Sequence, residues 1–270
     1  MIKIEDMKFL YGKYEVFENL NLEFKENHIY GLLGKNGTGK STLLYLISGL
    51  LKPKSGNIEF DGTDTFKRLP ETLSDMFLVP DEFDFPDMKI GDFIKVYAPF
   101  YTNFSKEKFQ NCLTDFGITE VKSLKGISLG QKKKIYISFA LATGTRLLMF
   151  DEPTNGLDIP SKDIFRKIIA KNMEDGQTVI IATHLVNDVD ALLDEIVIIK
   201  DSSDIFEATT SDIQERYVFE NRMTADGEDV VYSEPSPQGY SVVATNTSGK
   251  DSQLDLNMLF KAVTNNKLTK

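Results

Sequence analysis

Residues Gly34-Lys35-Asn36-Gly37-Thr38-Gly39-Lys40-Ser41 fit the pattern G-x-x-x-x-G-K-[ST]. Glycines at 34, 37 and 39 let backbone N–H groups turn inward around phosphate oxygens, and a helix starting here adds the positive end of its dipole. Lys40 then reaches the β- and γ-phosphates, and the Ser41 hydroxyl is placed to ligate Mg²⁺. A second group is Asp151-Glu152, which ends the apolar run Leu147-Leu148-Met149-Phe150. A buried strand delivers such carboxylates at its C-terminal edge, where α/β ligands bind; there Asp151 can hold Mg²⁺ through water and Glu152 can polarise an attacking water. His184 follows Ile180-Ile181-Ala182-Thr183, where its imidazole could donate to a γ-phosphate. These residue types point to phosphoryl transfer, which needs positioning and charge stabilisation more than covalent chemistry.

Such groups need rigid elements to hold them. Ile29-Tyr30-Gly31-Leu32-Leu33 reads as a short buried strand feeding the glycine-rich turn, with a helix over 42–51 that ends at Pro53. Buried strands at 147–150 and 178–182 are separated by an amphipathic helix around 164–173, and 196–199 adds a last core strand. That alternation predicts a parallel α/β sheet with both faces covered. Residues 1–30 alternate apolar and polar at period two and predict antiparallel strands, turning at Tyr11-Gly12-Lys13; 56–62 is a further strand. The stretch 87–142 has helical periodicity. After Asp201 the texture changes: 230–232 and 240–244 read as a hairpin split by Pro235-Ser236-Pro237-Gln238-Gly239, and 254–263 as a closing helix.

The chain has 270 residues and a formal net charge of -10, which argues against a protein built to coat nucleic acid. The excess is uneven, since residues 201–270 hold 12 acidic against 6 basic side chains. Lys132-Lys133-Lys134 reads as a solvated helix start rather than a nucleic-acid patch. The one cysteine, Cys112, reads as a small residue in a helix and suits a reducing compartment. The N-terminus lacks a secretory h-region, and the longest uncharged apolar run, 135–145, is too short for a bilayer span, which needs about 20 residues.

With these residues in place, the sequence resembles the nucleotide-binding subunit of an ABC transporter. Ile127-Ser128-Leu129-Gly130-Gln131 is similar to the family signature L-S-G-G-Q, Gly156-Leu157-Asp158 to its D-loop, Thr183-His184 to its switch histidine, and Tyr11 to its adenine-stacking aromatic residue. The likeness covers roughly residues 1–215. It implies a P-loop NTPase cassette of α/β class over 1–210, with an N-terminal antiparallel β subdomain and a helical subdomain at about 87–143; beyond it, the acidic segment 211–270 reads from its own texture as a small α+β accessory subdomain, regulatory or dimer-contacting. The likeness also implies ATP and Mg²⁺ as cofactors. Tyr11, Gly34, Asn36, Gly37, Thr38, Gly39, Lys40, Ser41, Thr42, Ser128, Gly130, Gln131 and Asp158 would contact nucleotide. Glu152, His184 and Lys40 would act in hydrolysis, and Ser41, Asp151 and Asp81 would face the metal. Partners would be a membrane permease and a second copy or a related ATPase subunit, with ATP sandwiched between Lys40's loop on one and Ser128-Leu129-Gly130-Gln131 on the other. The chain would sit on the cytoplasmic face of the membrane through the permease, as part of an exporter. A soluble ABC ATPase and a non-hydrolysing regulatory module are the alternatives.

Two positions depart from the family pattern. Leu129 replaces the first signature glycine, and Asp81 stands in Val79-Pro80-Asp81 where a glutamine is expected. Asp81 can accept hydrogen bonds but cannot donate as an amide does, and it adds negative charge near phosphate; Glu82 is a substitute for the role. Phe83, Phe85, Phe93, Tyr97, Phe100 and Tyr101 concentrate aromatics in the helical segment, suited both to its own core and to a groove for a permease helix.

Overall fold

The computed structural model describes residues 1–119 and 123–268. The alternating N-terminal stretch forms strands β1 (Ile2–Tyr11) and β2 (Tyr14–Phe24), paired antiparallel. Strand β3 (Ile29–Gly34) then enters a second sheet and leads into helix α1 (Lys40–Ile47). Strands β4 (Ser55–Phe60) and β5 (Thr63–Asp64) return to complete the first sheet in the order β2-β1-β4-β5. Helix α1 starts two residues earlier than the expected 42–51 and ends four earlier. Left-handed glycines bound it, Gly39 at φ 100° and Gly49 at φ 66°, and a Cβ at Gly49 would lie 2.3 Å from the Thr65 carbonyl oxygen.

The chain continues through α2 (Pro70–Leu73), β6 (Met76–Val79), α3 (Ile90–Tyr97), α4 (Lys106–Asp115) and α5 (Leu129–Ala142). Next come β7 (Leu147–Asp151), α6 (Ile159–Asn172), β8 (Thr178–Thr183), β9 (Glu195–Ile199) and β10 (Ile205–Thr209). The central sheet has the order β10-β9-β3-β8-β7-β6 and is parallel except for β10, an antiparallel edge strand that the sequence pattern did not announce. Helix α7 (Thr210–Arg216) leads to a third sheet built from β11 (Tyr217–Arg222), β12 (Val230–Ser236) and β13 (Gly239–Thr245) in the order β11-β13-β12, followed by α8 (Leu256–Thr264). Strand β12 runs through Pro235, which pairs with Tyr240, so the turn is shorter than the five residues expected. A proline is tolerated there because β12 is an edge strand.

Every residue of β3, β7, β8 and β9 is buried, and period two divides their side chains between two cores. Leu148, Phe150, Val179, Ile181, Ile196 and Ile198 pack with α4, α5, α6 and α8. Leu147, Met149, Ile180, Ala182, Val197 and Ile199 pack with α1 and the inward residues of the first sheet. In the first core, Phe139 of α5 meets the rings of Phe77, Phe93, Tyr101, Phe104 and Phe109 at centroid distances of 5.0–6.2 Å. Phe139→Ala is expected to cost about 3–5 kcal/mol of stability, read as a lowered urea midpoint, because the surrounding rings cannot collapse into the gap.

Candidate nucleotide-binding site

The glycine-rich loop joins the end of β3 to the start of α1. A Cβ at Gly39 would lie 2.7 Å from Val16 Cγ1 and 2.8 Å from the Phe17 ring, so both backbone conformation and the packing of β2 demand glycine. Gly37, at φ 83°, faces open space. The first turn of α1 has neither an acidic residue nor a side-chain cap, which leaves its N–H groups for an anion. Lys40 is buried, and its Nζ donates to the carbonyls of Gly34 at 2.8 Å and Lys35 at 3.2 Å; Thr38 Oγ1 also donates to the Lys35 carbonyl. Burial draws the Lys40 ammonium below the usual lysine range, opposed by the carboxylates of Glu152 and Asp151. An incoming phosphate would add to that opposing charge and hold the ammonium protonated.

Strand β7 carries Asp151 and Glu152 to the same edge. Asp151 is buried, and among the described residues its Oδ1 is one of two buried side-chain polar atoms with no hydrogen-bond partner, the other being Ser236 Oγ. Burial pushes the Asp151 carboxyl up, a hydrogen bond with Ser41 pulls it down, and the charges of Glu152 and Asp81 push it up again. An unpartnered carboxylate oxygen beside a serine hydroxyl and a phosphate loop is a donor set suited to Mg²⁺, which takes few protein ligands and completes its shell with phosphates and water. The raised pKa has a consequence for the ligand-free protein. The unfolded chain ionises this carboxyl more readily than the folded one, so its contribution to stability is present below the unfolded pKa and lost as pH rises through the folded pKa. Asp151→Asn is therefore expected to raise the melting temperature of the nucleotide-free protein at pH 7, with the gain shrinking as the pH is lowered through the carboxylate range.

Glu152 has φ 46°, an uncommon conformation for a residue with a side chain. Its N–H donates to the Ala182 carbonyl at 2.8 Å, while its own carbonyl accepts from the Asn155 N–H at 3.2 Å and from Lys133 Nζ at 2.6 Å. Its carboxylate accepts from Thr183 Oγ1 at 2.8 Å and from the His184 N–H at 3.1 Å, meets His184 Nδ1 at 2.7 Å, and lies 3.9 Å from Lys40 Nζ. Having a carboxylate at Nδ1 makes that nitrogen the donor. With Nδ1 engaged by Glu152, the His184 imidazole expected to reach a γ-phosphate first serves to orient that carboxylate.

The structure corrects the reading of the lysine run. Lys133 is 1% exposed rather than solvated, because it points from α5 toward Asp81 and Glu152; its Nζ lies 2.8 Å from Asp81 Oδ1. Asn155 Nδ2 lies 3.4 Å from the same oxygen. Asp81 thus stands at the site with an ammonium partner.

Tyr11, Asn36, Gly37, Gly39, Lys40, Ser41, Thr42, Asp81, Glu152 and His184, all anticipated from sequence, line one cleft of about 510 Å³. Tyr14, Val16 and Asn155 also line it. Tyr14 is another exposed ring in the Tyr11 turn and was legible as such; Asn155 is brought in only by the turn after Glu152. Thr183, the hydroxyl partner of Glu152, stands directly before His184 and was readable as a strand-end group. Gly34, Thr38 and Asp151 support the cleft without lining it. Ser128, Gly130, Gln131 and Asp158 lie outside it. Ser128 and Gln131 cap α5 reciprocally, with Ser128 Oγ accepting from the Gln131 N–H at 3.3 Å and Gln131 Oε1 accepting from the Ser128 N–H at 3.1 Å. Asp158 caps α6, accepting from the Ser161 N–H at 3.3 Å, and a hydrogen bond with the Ser161 side chain holds its carboxyl below the usual range. A cleft of about 480 Å³ beside the third sheet is lined by Asp190, Glu220 and Asp255 with no lysine or arginine, so it offers nothing to balance a polyphosphate. Burial pushes the Cys112 thiol up to about 11, which keeps it protonated and inert.

Residues 17–155 match the protein family described as ABC transporter. The lantibiotic transport ATP-binding protein SrtF of Streptococcus pyogenes is 31% identical over 209 residues, covering 77% of this chain and 90% of that protein. The bacitracin transport ATP-binding protein BcrA of Bacillus licheniformis is 34% identical over 203 residues, covering 74% of this chain and 66% of that one. A solved structure described as the ATP binding subunit of an ABC transporter superposes with a TM-score of 0.71 at 21% identity, over 79% of this chain and 92% of that one, which speaks to the fold.

Proposed function

The chain belongs to the ABC transporter family, and from that premise we propose that it is the ATP-hydrolysing subunit of an exporter whose membrane-spanning part is a separate permease. The observation that carries this reading is the meeting of Lys40 and Glu152 at 3.9 Å in one cleft, the phosphate loop on one side and a carboxylate held by Thr183 and His184 on the other. The export direction rests on likeness to the lantibiotic and bacitracin transport proteins.

In this reading the adenine stacks on Tyr11, and the loop from Gly34 to Ser41, with Asn36 and Thr38, wraps the phosphates. Lys40 leaves the loop carbonyls for the β- and γ-phosphates, and Thr42 lines the same helix start. Ser41 and Asp151, with Asp81 alongside, would hold Mg²⁺, which supplies charge neutralisation across the phosphates. Glu152 accepts a proton from the attacking water, and His184, through Nδ1, orients that carboxylate beside the γ-phosphate. Since Ser128, Gly130, Gln131 and Asp158 lie outside the cleft, a second copy of this chain would bring them to the nucleotide. ATP binding then favours the closed pair, and hydrolysis favours its opening.

We place the boundary of the cassette near residue 210, with 211–270 as an accessory piece whose helix α8 packs into the first core. Among the described residues no helix is long and apolar enough to cross a membrane. Membrane association is assigned to the permease, on the cytoplasmic side, by likeness to the transport ATP-binding proteins. Phe83 and Phe85 are half-buried and meet the Tyr136 ring at centroid distances of 4.5 and 5.5 Å, tilted and edge-on, beside Phe93, Tyr97 and Tyr101 in a groove of about 280 Å³. This groove suits a short permease helix. Replacing Phe83 and Phe85 together with alanine is expected to lower co-purification with the detergent-solubilised permease by roughly tenfold or more, since buried aromatic anchors dominate such contacts. Unchanged co-purification would remove the groove from the account.

A further inference from the structure

We infer that Lys133 is a positioning residue that clamps the main chain of Glu152 and supplies the charge that lets a carboxylate, Asp81, stand in the nucleotide cleft. The first half rests on geometry. Glu152 is held in a left-handed conformation, with its N–H tied to Ala182 and its carbonyl to Asn155 and to the Lys133 ammonium. The 2.6 Å contact from Lys133 is the shortest of these main-chain bonds, and it comes from a side chain 1% exposed. Charge-assisted bonds in so dry a place are strong, and the strained backbone needs such support. The carboxylate of Glu152 can point at Thr183, His184 and Lys40 only while its peptide stays in this orientation.

The second half rests on charge. Asp81 and Glu152 line the cleft and Asp151 lies behind it, while Lys40 is the one lysine or arginine among the lining residues. A polyphosphate entering that cleft meets Asp81 as a repulsive neighbour unless the charge is balanced. Lys133 balances it through the 2.8 Å bond to Oδ1. One ammonium thus serves two ends, the Glu152 peptide and the Asp81 carboxylate, and removing it has two separable effects. Hydrolysis slows because Glu152 is no longer fixed. Metal-free nucleotide binds more weakly because the negative charge of Asp81 is left unbalanced.

The inference about hydrolysis rests on the reading of Glu152 as the water-activating group; the inference about charge does not. The test uses the full chain and mant-ATP in EDTA as the binding probe, with phosphate release in Mg²⁺ measured beside it. Lys133→Met, close to lysine in length but without a donor, is expected to weaken metal-free mant-ATP binding roughly 5- to 10-fold and to lower kcat about 10- to 100-fold by loosening the support of a reacting group. Adding Asp81→Asn should return the binding constant to within about twofold of the wild type while kcat stays low, a split that general loss of structure would not produce. Lys133→Gln, a polar variant that tolerates the buried site if methionine prevents folding, should show the same recovery of binding on adding Asp81→Asn. Binding and kcat both unchanged in Lys133→Met, or in Lys133→Gln, overturn the proposal. So does a weakened affinity that Asp81→Asn fails to recover. Glu152→Gln is assayed in parallel: if it hydrolyses ATP normally, the reading of Glu152 fails, and the binding arm still decides the charge half by itself.

Discussion

Lys40→Ala is expected to weaken ATP binding roughly 10- to 150-fold, the value of one to two hydrogen bonds to a charged group. Lys40 is the buried lysine of the cleft, and its Nζ donates to the carbonyls of Gly34 and Lys35. Those carbonyls release it at little cost when phosphates arrive, because charged oxygens make better acceptors than neutral ones. Alanine removes the phosphate contact and also leaves Asp151 and Glu152 without the nearby positive charge that opposes their mutual repulsion. Titration with mant-ATP checks the point, and an affinity within threefold of the wild type would remove Lys40 from the binding machinery.

Glu152→Gln is expected to lower the rate of ATP hydrolysis by about 10²- to 10⁴-fold, the usual contribution of a positioned general base. Affinity for ATP should be kept or improved, since one negative charge leaves a cleft that receives phosphates. The substitution is gentle on the structure. A glutamine Oε1 can still accept from the His184 N–H and Nδ1, and its amide nitrogen can face Thr183 Oγ1, which accepts as well as donates. Phosphate release per bound ATP is the measurement. A rate unchanged in the variant would make another group the base.

Much of this site was legible in the sequence because the chemistry sits on short local patterns. The loop from Gly34 to Ser41 is contiguous, and the apolar run ending in Asp151-Glu152 announces a buried strand with carboxylates at its edge. The run ending in Thr183-His184 works the same way, and the structure pairs Glu152 with both of those residues. Lys133 was not legible. Beside Lys132 and Lys134 it looks like part of a solvated helix start, and only its pairing with Asp81, 52 positions away, shows it to be buried. Strand β6 (Met76–Val79) is as apolar as the runs at 147–150 and 196–199 but was not read as a strand. Strands β10 and β11 escaped notice because they mix half-buried and polar positions, which gives neither a clean apolar run nor a strict alternation. The acidity of the last 70 residues is clear from composition, yet α8 packs its apolar face into the core, so that segment is anchored rather than a loose acidic tail.

In the proposed cycle, ATP closes two copies of this chain and hydrolysis at Glu152 parts them. Light scattering of Glu152→Gln with saturating ATP and Mg²⁺ addresses that most directly. The predicted result is a stable species of about twice the 30.5 kDa chain mass that holds ATP and reverts to the single chain when nucleotide is removed. A species of 30.5 kDa that binds ATP and stays single at every nucleotide concentration would contradict it.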